Sequence, residues 1–243
     1  MPGEAFIHLD RVRMEYPVLQ STNRSLKRRF VSAATGGRVA HDARNHIVVT
    51  ALNDISLSIA PGERVAIVGH NGSGKTTLLR SIAGVYTPVS GEMRVQGTVS
   101  TLFDISIGFD PEATGKENVV LRGLVMGLTR AQIAERMAGI SEFSGLGDYI
   151  DLPVRVYSSG MLLRLAFAVA TSTHRDIVLM DEWLAVGDAD FAQRAERRLH
   201  DLLDRTSILV IATHDDNLVR RICSRRIELR HGRVVTDDMI GER

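Results

Sequence analysis

The chain holds one cysteine, Cys223, so no internal disulfide is available to it. That residue sits in a helix-like stretch and reads as a small buried apolar side chain. No apolar run approaches the length needed to span a bilayer. Residues 1–10 show neither the basic nor the apolar region of a signal peptide. These two absences lead us to expect a cytosolic chain, or one peripheral on the cytosolic side. No sign of charge dominates: the net charge is +1, which gives no global case for nucleic-acid binding. Lysine is scarce, with 3 against 27 arginines, a bias we assign to a GC-rich genome rather than to mechanism. Repeats and low-complexity tails are missing too. What remains, 44% apolar and 24% charged residues over 243 positions, fits one soluble domain, alone or with an inserted lobe.

The most informative stretch is Gly69-His70-Asn71-Gly72-Ser73-Gly74-Lys75-Thr76. It reads G-x-x-x-x-G-K-T, follows the apolar run Val65-Ala66-Ile67-Val68, and leads into a helix-like run that Thr77 opens. Strand, glycine loop and helix is the context of a phosphate-binding P-loop. Glycines let backbone N–H groups curl around phosphate oxygens, and the helix adds its positive N-terminal dipole. Gly69, Asn71, Gly72, Ser73, Gly74, Lys75, Thr76 and Thr77 are the candidate nucleotide-binding residues. Lys75 would reach the β- and γ-phosphates of ATP, and the Thr76 hydroxyl would hold Mg²⁺.

In chain order, residues 5–14 predict a strand. Residues 17–46 break the pattern with six basic residues and one acid, a local net charge of +5, and one short helix candidate at 23–30. A strand over 47–60, interrupted near Asn53-Asp54, precedes the P-loop strand. Short strands follow at 93–96 and 98–103, then a helical pattern from 116 to about 170. Strands return at 177–180, 207–212 and 226–229, with helices between them at 189–204 and 217–223. This alternation predicts an α/β fold: a mostly parallel sheet with an antiparallel β subdomain, interrupted by an α-helical lobe at about 104–170.

Two further stretches carry chemistry. Ile177-Val178-Leu179-Met180-Asp181-Glu182 is an apolar strand ending in two acids. Beside a P-loop, Asp181 is placed to hold Mg²⁺ and Glu182 to act as general base on the attacking water; without the P-loop, two such acids could simply cap the next helix. Tyr157-Ser158-Ser159-Gly160-Met161 opens a helix and offers free N–H groups to an anion. Taken in isolation, an ordinary serine N-cap is the better reading of the same residues.

The order of P-loop, S-S-G helix and strand-Asp-Glu resembles the ATP-binding subunit of an ABC transporter. The stretch 157–168 resembles the ABC signature in its Y-S-S-G-M-x-x-R-L-A-F-A form. The run Gly108-Phe109-Asp110-Pro111-Glu112-Ala113-Thr114-Gly115-Lys116-Glu117-Asn118, and the run 184–191 after the acids, are similar to the polysaccharide-export branch. That branch moves O-antigen, teichoic acid, capsule or cell-wall galactan. The likeness covers about residues 5–236 and implies a P-loop NTPase core that hydrolyses ATP with Mg²⁺ on the cytoplasmic face of the cell (inner) membrane. It implies a homodimer of nucleotide-binding subunits working with a dimeric polytopic permease, through which a lipid-linked polysaccharide leaves. Carried over residue by residue, Tyr16 would stack on adenine, although a strand-end tyrosine needs no such role. Ser158, Ser159, Gly160 and Met161 would close on the nucleotide of the other copy, Asp188 would link the two sites, and His214 would contact the γ-phosphate. Most ABC ATPases carry a glutamine at the entry to the lobe, whereas residues 102–108 here hold none; the branch often has an acid near this place, so Asp104 is the candidate substitute and a third metal-site residue beside Thr76 and Asp181.

The basic insertion at 17–46 stands where this family places a short amphipathic gate helix, and 25–31, with Lys27, Arg28 and Arg29, fits that place. A solvated basic loop is the alternative reading. The resemblance further implies a single nucleotide-binding domain over 1–243 without a C-terminal carbohydrate-binding domain. Transport of a lipid or drug remains open, as does a soluble non-transport ABC ATPase. The single P-loop disfavours translation-type members, and a lobe without heptads disfavours repair-type ones.

Overall fold

Three apolar runs become strands buried on both faces: β4 (Arg64–Val68), β7 (Ile177–Asp181) and β8 (Ile208–Ala212). Their continuous apolar sequence, without alternation, is what a central parallel strand requires. β4 pairs in parallel with β8 and with β9 (Arg225–Arg230), so it is flanked on both sides. β9 returns through His231 and Gly232 into the antiparallel β10 (Arg233–Met239). The six-stranded sheet has the order β10-β9-β4-β8-β7-β6, with β6 at Val99–Thr101. The computed structural model describes residues 4–17, 39–41, 47–182 and 189–240. Most of the basic insertion, including Lys27, Arg28, Arg29 and the helix candidate, lies outside them, as does Asp188.

The strand β10 escapes a reading by hydrophobic pattern. Its sequence is mostly polar and exposed beyond Val234. Pairing with β9 holds it, together with a two-pronged ion pair in which Arg225 Nε and Nη2 donate to the two oxygens of Asp237 at 2.6 and 2.7 Å. Arg225 Nη1 also donates to Glu63 Oε1 at 2.9 Å, and these two carboxylates raise the guanidinium above its ordinary range.

A second, antiparallel sheet has the order β2-β3-β1-β5, formed by β1 (Phe6–Pro17), β2 (Val39–His41), β3 (Ile47–Ile59) and β5 (Ser90–Gln96). In β1 the inward residues are Ile7 and Leu9, then Val12 and Met14. The alternation slips by one because Arg11 takes a left-handed conformation (φ 49°) and the pairing with β3 shifts register between Leu9 and Val12, a β-bulge. Gly91 on β5 lies so close that a Cβ there would stand 2.3 Å from the Arg11 carbonyl oxygen. β3 shows the partner irregularity. The interruption expected at Asn53-Asp54 is a left-handed residue (Asp54, φ 61°) inside one continuous strand, since a bulge bends a ladder without ending it.

The helices are α1 (Lys75–Ile82), α2 (Gly115–Val125), α3 (Arg130–Ser144), α4 (Ser159–Ala170), α5 (Ala189–Leu203) and α6 (Asp216–Ile222). The chain divides into two compact units. The first comprises Met1–Val99, Leu179–Glu182 and Ser207–Arg243; the second comprises Ser100–Val178 and Trp183–Thr206 and so contains α2 to α5. Cys223, after α6 in the first unit, is buried, and burial pushes its thiol up to about 12.

In the second unit, Val119, Ile133, Ile140, Leu146, Ile150, Leu165, Ala168 and Val169 form one apolar core. The run 108–118 is a folding device for it. Thr114 caps α2 in a reciprocal capping box: its hydroxyl accepts from Glu117 N at 3.2 Å, while Glu117 Oε2 accepts from Thr114 N at 2.8 Å. Gly115 is required by close approach, because a Cβ would meet the Tyr157 hydroxyl at 2.3 Å. Asn118 is fully buried. Its Nδ2 lies 2.9 Å from the carbonyl oxygen of Asp110, 3.1 Å from that of Ala113 and 3.0 Å from that of Thr114, and its Oδ1 accepts from Asp110 N at 2.7 Å. One amide therefore closes the loop ahead of α2.

Candidate nucleotide-binding site

The glycine loop lies between β4 and α1, all in the first unit. Gly69, Gly72 and Gly74 adopt φ values of 146°, 74° and 113°, where side chains are strained. At Gly69 the space is closed as well: a Cβ would lie 2.2 Å from the Leu229 carbonyl oxygen and 2.8 Å from Ser73 Oγ. Gly232, in the turn between β9 and β10, donates its N–H to the Ser73 carbonyl at 2.8 Å and so straps the loop from outside. Ser73 is fully buried, and its hydroxyl has no hydrogen-bond partner among the described residues. Lys75 Nζ folds back over the loop and donates to the carbonyl oxygens of Gly69 (2.7 Å) and His70 (3.2 Å). A narrow glycine cradle, an orphaned hydroxyl and an ammonium folded over it fit a polyphosphate.

The strands β8 and β7, which follow β4 in the sheet, bring the remaining groups of this unit together. Thr76 Oγ1 donates to Asp181 Oδ2 at 2.7 Å. This pairs a hydroxyl with a carboxylate, two hard oxygen ligands suited to a magnesium ion that keeps water and phosphate in its other positions. No group of three or more His, Cys, Asp or Glu that could hold a metal ion occurs among the described residues. Glu182 follows with a left-handed backbone (φ 66°), and its N–H donates to the Ala212 carbonyl at 2.7 Å. Its Oε1 stands 2.8 Å from His214 Nδ1. A carboxylate oxygen only accepts, so His214 Nδ1 is the donor in this contact. Glu182 and His214 lie in separate stretches of the chain, and the ends of β7 and β8 bring them into contact.

Tyr16, at the end of β1, packs edge-on against Tyr86, with ring centroids 5.2 Å apart. Burial raises its phenol above the ordinary value, opposed by a hydrogen bond with the Thr77 side chain. Tyr86 carries no motif that would have pointed to it. Thr213 was likewise missed. It is fully buried between β8 and His214, and its hydroxyl donates to Glu182 Oε2 at 3.4 Å.

A family model described as "ABC transporter" matches residues 52–185, more than half of the sequence. Over 228 residues the chain is 42% identical to the O-antigen export system ATP-binding protein RfbE of Yersinia enterocolitica, covering 94% of this chain and 95% of that one. The chain belongs to the ABC transporter family. The expected family, fold class and ATPase activity stand with that membership. Further relatives of this ABC protein are RfbB of Myxococcus xanthus, another O-antigen export system ATP-binding protein, and the teichoic acids export ATP-binding protein TagH of Bacillus cereus. The first is 45% identical and the second 38%, each across 76% of this chain. The chain spans 43% of the length of that RfbB and 33% of that TagH. Among solved structures, a dimeric ATP-binding cassette in a post-hydrolysis state, bound to ADP and Pi, matches with a TM-score of 0.69 at 21% identity. The match covers 98% of this chain and all of that one, a likeness of fold.

The remaining candidates of this ABC protein lie in the second unit. Ser158 is the N-cap of α4, its hydroxyl accepting from Met161 N at 3.2 Å, with Ser159, Gly160 and Met161 forming the first turn. Its side chain is thus committed to the cap, which leaves the backbone donors of that turn as the groups for an anion. Asp104 sits in the loop after β6 with φ 54°, its carbonyl accepting from Ile107 N at 2.9 Å. No helix among the described residues is long and apolar enough to cross a membrane.

Proposed function

We propose that this chain is the ATP-hydrolysing motor subunit of an exporter of lipid-linked polysaccharide. In this reading two copies work with a dimeric transmembrane permease at the cytoplasmic face of the cell membrane. The observation that carries the reading is the convergence of Lys75, the Thr76–Asp181 pair and the Glu182–His214 pair in one unit. The export-system names of relatives aligned over most of the chain support the cargo class. Gly69 to Gly74 bind the phosphates through backbone N–H groups, and Lys75 leaves its two carbonyl partners for the β- and γ-oxygens. Thr76 and Asp181 would hold Mg²⁺, which when bound would supply positive charge against the phosphates. Glu182 takes the proton of the attacking water, and His214, oriented by its Nδ1–H, presents Nε2 toward the γ-phosphate. Tyr16 and Thr77 border the base and ribose side. The first turn of α4, Ser158 to Met161, closes on the nucleotide of the other copy, and Asp188 has the role of linking the two sites. Asp104 stands in place of the lobe-entry glutamine. ATP binding favours the closed dimer; hydrolysis and release reopen it.

Depleting the protein in its native cell tests the cargo. A lipid-linked saccharide is expected to accumulate on the cytoplasmic side, and accumulation of a drug or simple lipid instead would overturn the reading. The basic insertion makes a second, separable prediction. Replacing Lys27, Arg28 and Arg29 together with alanine is expected to cut export of an anionic lipid-linked glycan by up to about 10²-fold while ATPase activity stays within about twofold, since each basic group near an anionic surface is worth on the order of 1 kcal/mol. Export and phosphate release measured on the same membranes check it; unchanged export would reduce the insertion to a solvated loop.

A further inference from the structure

We infer that Thr213 is a positioning residue for the Glu182 carboxylate, and that the end of β8 acts as a three-point clamp on the base. The inference rests on the proposed role of Glu182. Three consecutive residues after Ile211 touch Glu182, each through a different group. The Ala212 carbonyl accepts from Glu182 N at 2.7 Å, Thr213 Oγ1 donates to Oε2 at 3.4 Å, and His214 Nδ1 meets Oε1 at 2.8 Å. The clamp is needed because Glu182 holds a left-handed backbone, φ 66°, which a residue with a Cβ adopts only when its surroundings compel it.

Thr213 is suited to the task. It has no exposed surface, so its hydroxyl cannot trade the carboxylate for water. Its own position is fixed on two sides: its N–H donates to the Ile67 carbonyl at the end of β4, at 3.1 Å, and its Oγ1 accepts from Asp215 N at 3.1 Å. The accepted bond turns the hydroxyl proton away from the α6 cap and leaves it directed at Glu182. With Oε1 and Oε2 each held by a separate donor, rotation of the carboxylate about its last bond is stopped. The same two donors set which oxygen faces the attacking water. The histidine supplies one anchor, and without the threonine the carboxylate pivots about it.

The test compares ATP hydrolysis by the full chain and its variants. Thr213→Val keeps the shape and removes the hydroxyl. Its kcat is expected to fall about tenfold, the low end for one hydrogen bond to a charged group, with KM for ATP unchanged. Thr213→Ser, which keeps the donor, is expected to recover most of the rate. In a Glu182→Gln background, Thr213→Val is expected to produce no further loss, because the two residues act as one unit. Nucleotide affinity measured by fluorescence confirms that each variant is folded, and Thr213→Ala replaces the valine variant should that one not fold. A wild-type kcat in Thr213→Val, or the same loss with and without Glu182, overturns the inference. Unimpaired hydrolysis in Glu182→Gln alone overturns the underlying assignment of the base instead, so the two failures are distinguishable.

Discussion

Glu182→Gln is expected to lower ATP turnover by about 10²- to 10⁴-fold, the range for removal of a general base, while ATP affinity changes little. The substitution replaces one carboxylate oxygen by an amide nitrogen of the same size. The left-handed backbone and the bond from Glu182 N to the Ala212 carbonyl do not depend on the side-chain charge. The amide oxygen still accepts from His214 Nδ1, whose present distance is 2.8 Å. What is lost is the capacity to take a proton. The phosphate-binding elements, Gly69 to Lys75, contact neither Glu182 side-chain oxygen directly, so binding persists. A subunit that binds ATP and does not cleave it accumulates in the state ATP favours. Size-exclusion chromatography with ATP and magnesium should therefore show a stable dimer for the variant and a transient one for the native chain. Turnover close to the native rate would remove Glu182 from the chemistry and leave His214 as the remaining candidate in that unit.

The readability of this chain divides along the range of the interactions involved. The P-loop was legible because its chemistry is local: Gly69 to Thr76 needs only a strand before it and a helix after it, and β4 and α1 supply both. The acids Asp181 and Glu182 were legible for the same reason. Their partners are long-range. The contact with His214 arises from strand order, with β8 beside β7, and sequence spacing carries no trace of it. A bulge misleads in β3, where the pattern slips at Asp54 and reads as an interruption; β1 slips in the same way at Arg11, yet the expected strand over 5–14 runs through it. β10 was invisible because pairing and the Arg225–Asp237 ion pair hold it, with little apolar content. The run 108–118 was recognised only as a family likeness. Its physical content, a capping box and a buried amide, emerged from the hydrogen bonds of Thr114, Glu117 and Asn118.

That buried amide carries the largest expected effect on stability. Asn118→Ala is expected to destabilise the second unit by about 2–4 kcal/mol, the range for breaking a buried hydrogen-bonded network. The alanine deletes every partner the amide supplies. Asp110 loses the acceptor for its N–H, and the carbonyls of Asp110, Ala113 and Thr114 lose the two Nδ2 hydrogens they share. The site has no exposed surface, so water cannot take over those bonds without opening the loop. Val119, the next residue, lies in the apolar core of the unit, so the opening is transmitted to α2. Asn118→Asp is expected to do at least as much damage. A carboxylate can still accept from Asp110 N, but it sets a buried negative charge against three carbonyl oxygens. Because every side-chain hydrogen bond of Asn118 lies within 110–118, hydrogen exchange should speed up across 108–125, while amides of β4 and α1 and the affinity for ATP stay as they are. Native-like protection over 108–125 in the alanine variant would mean that the capping box of Thr114 and Glu117 holds the start of α2 alone, and that the amide is dispensable to the fold.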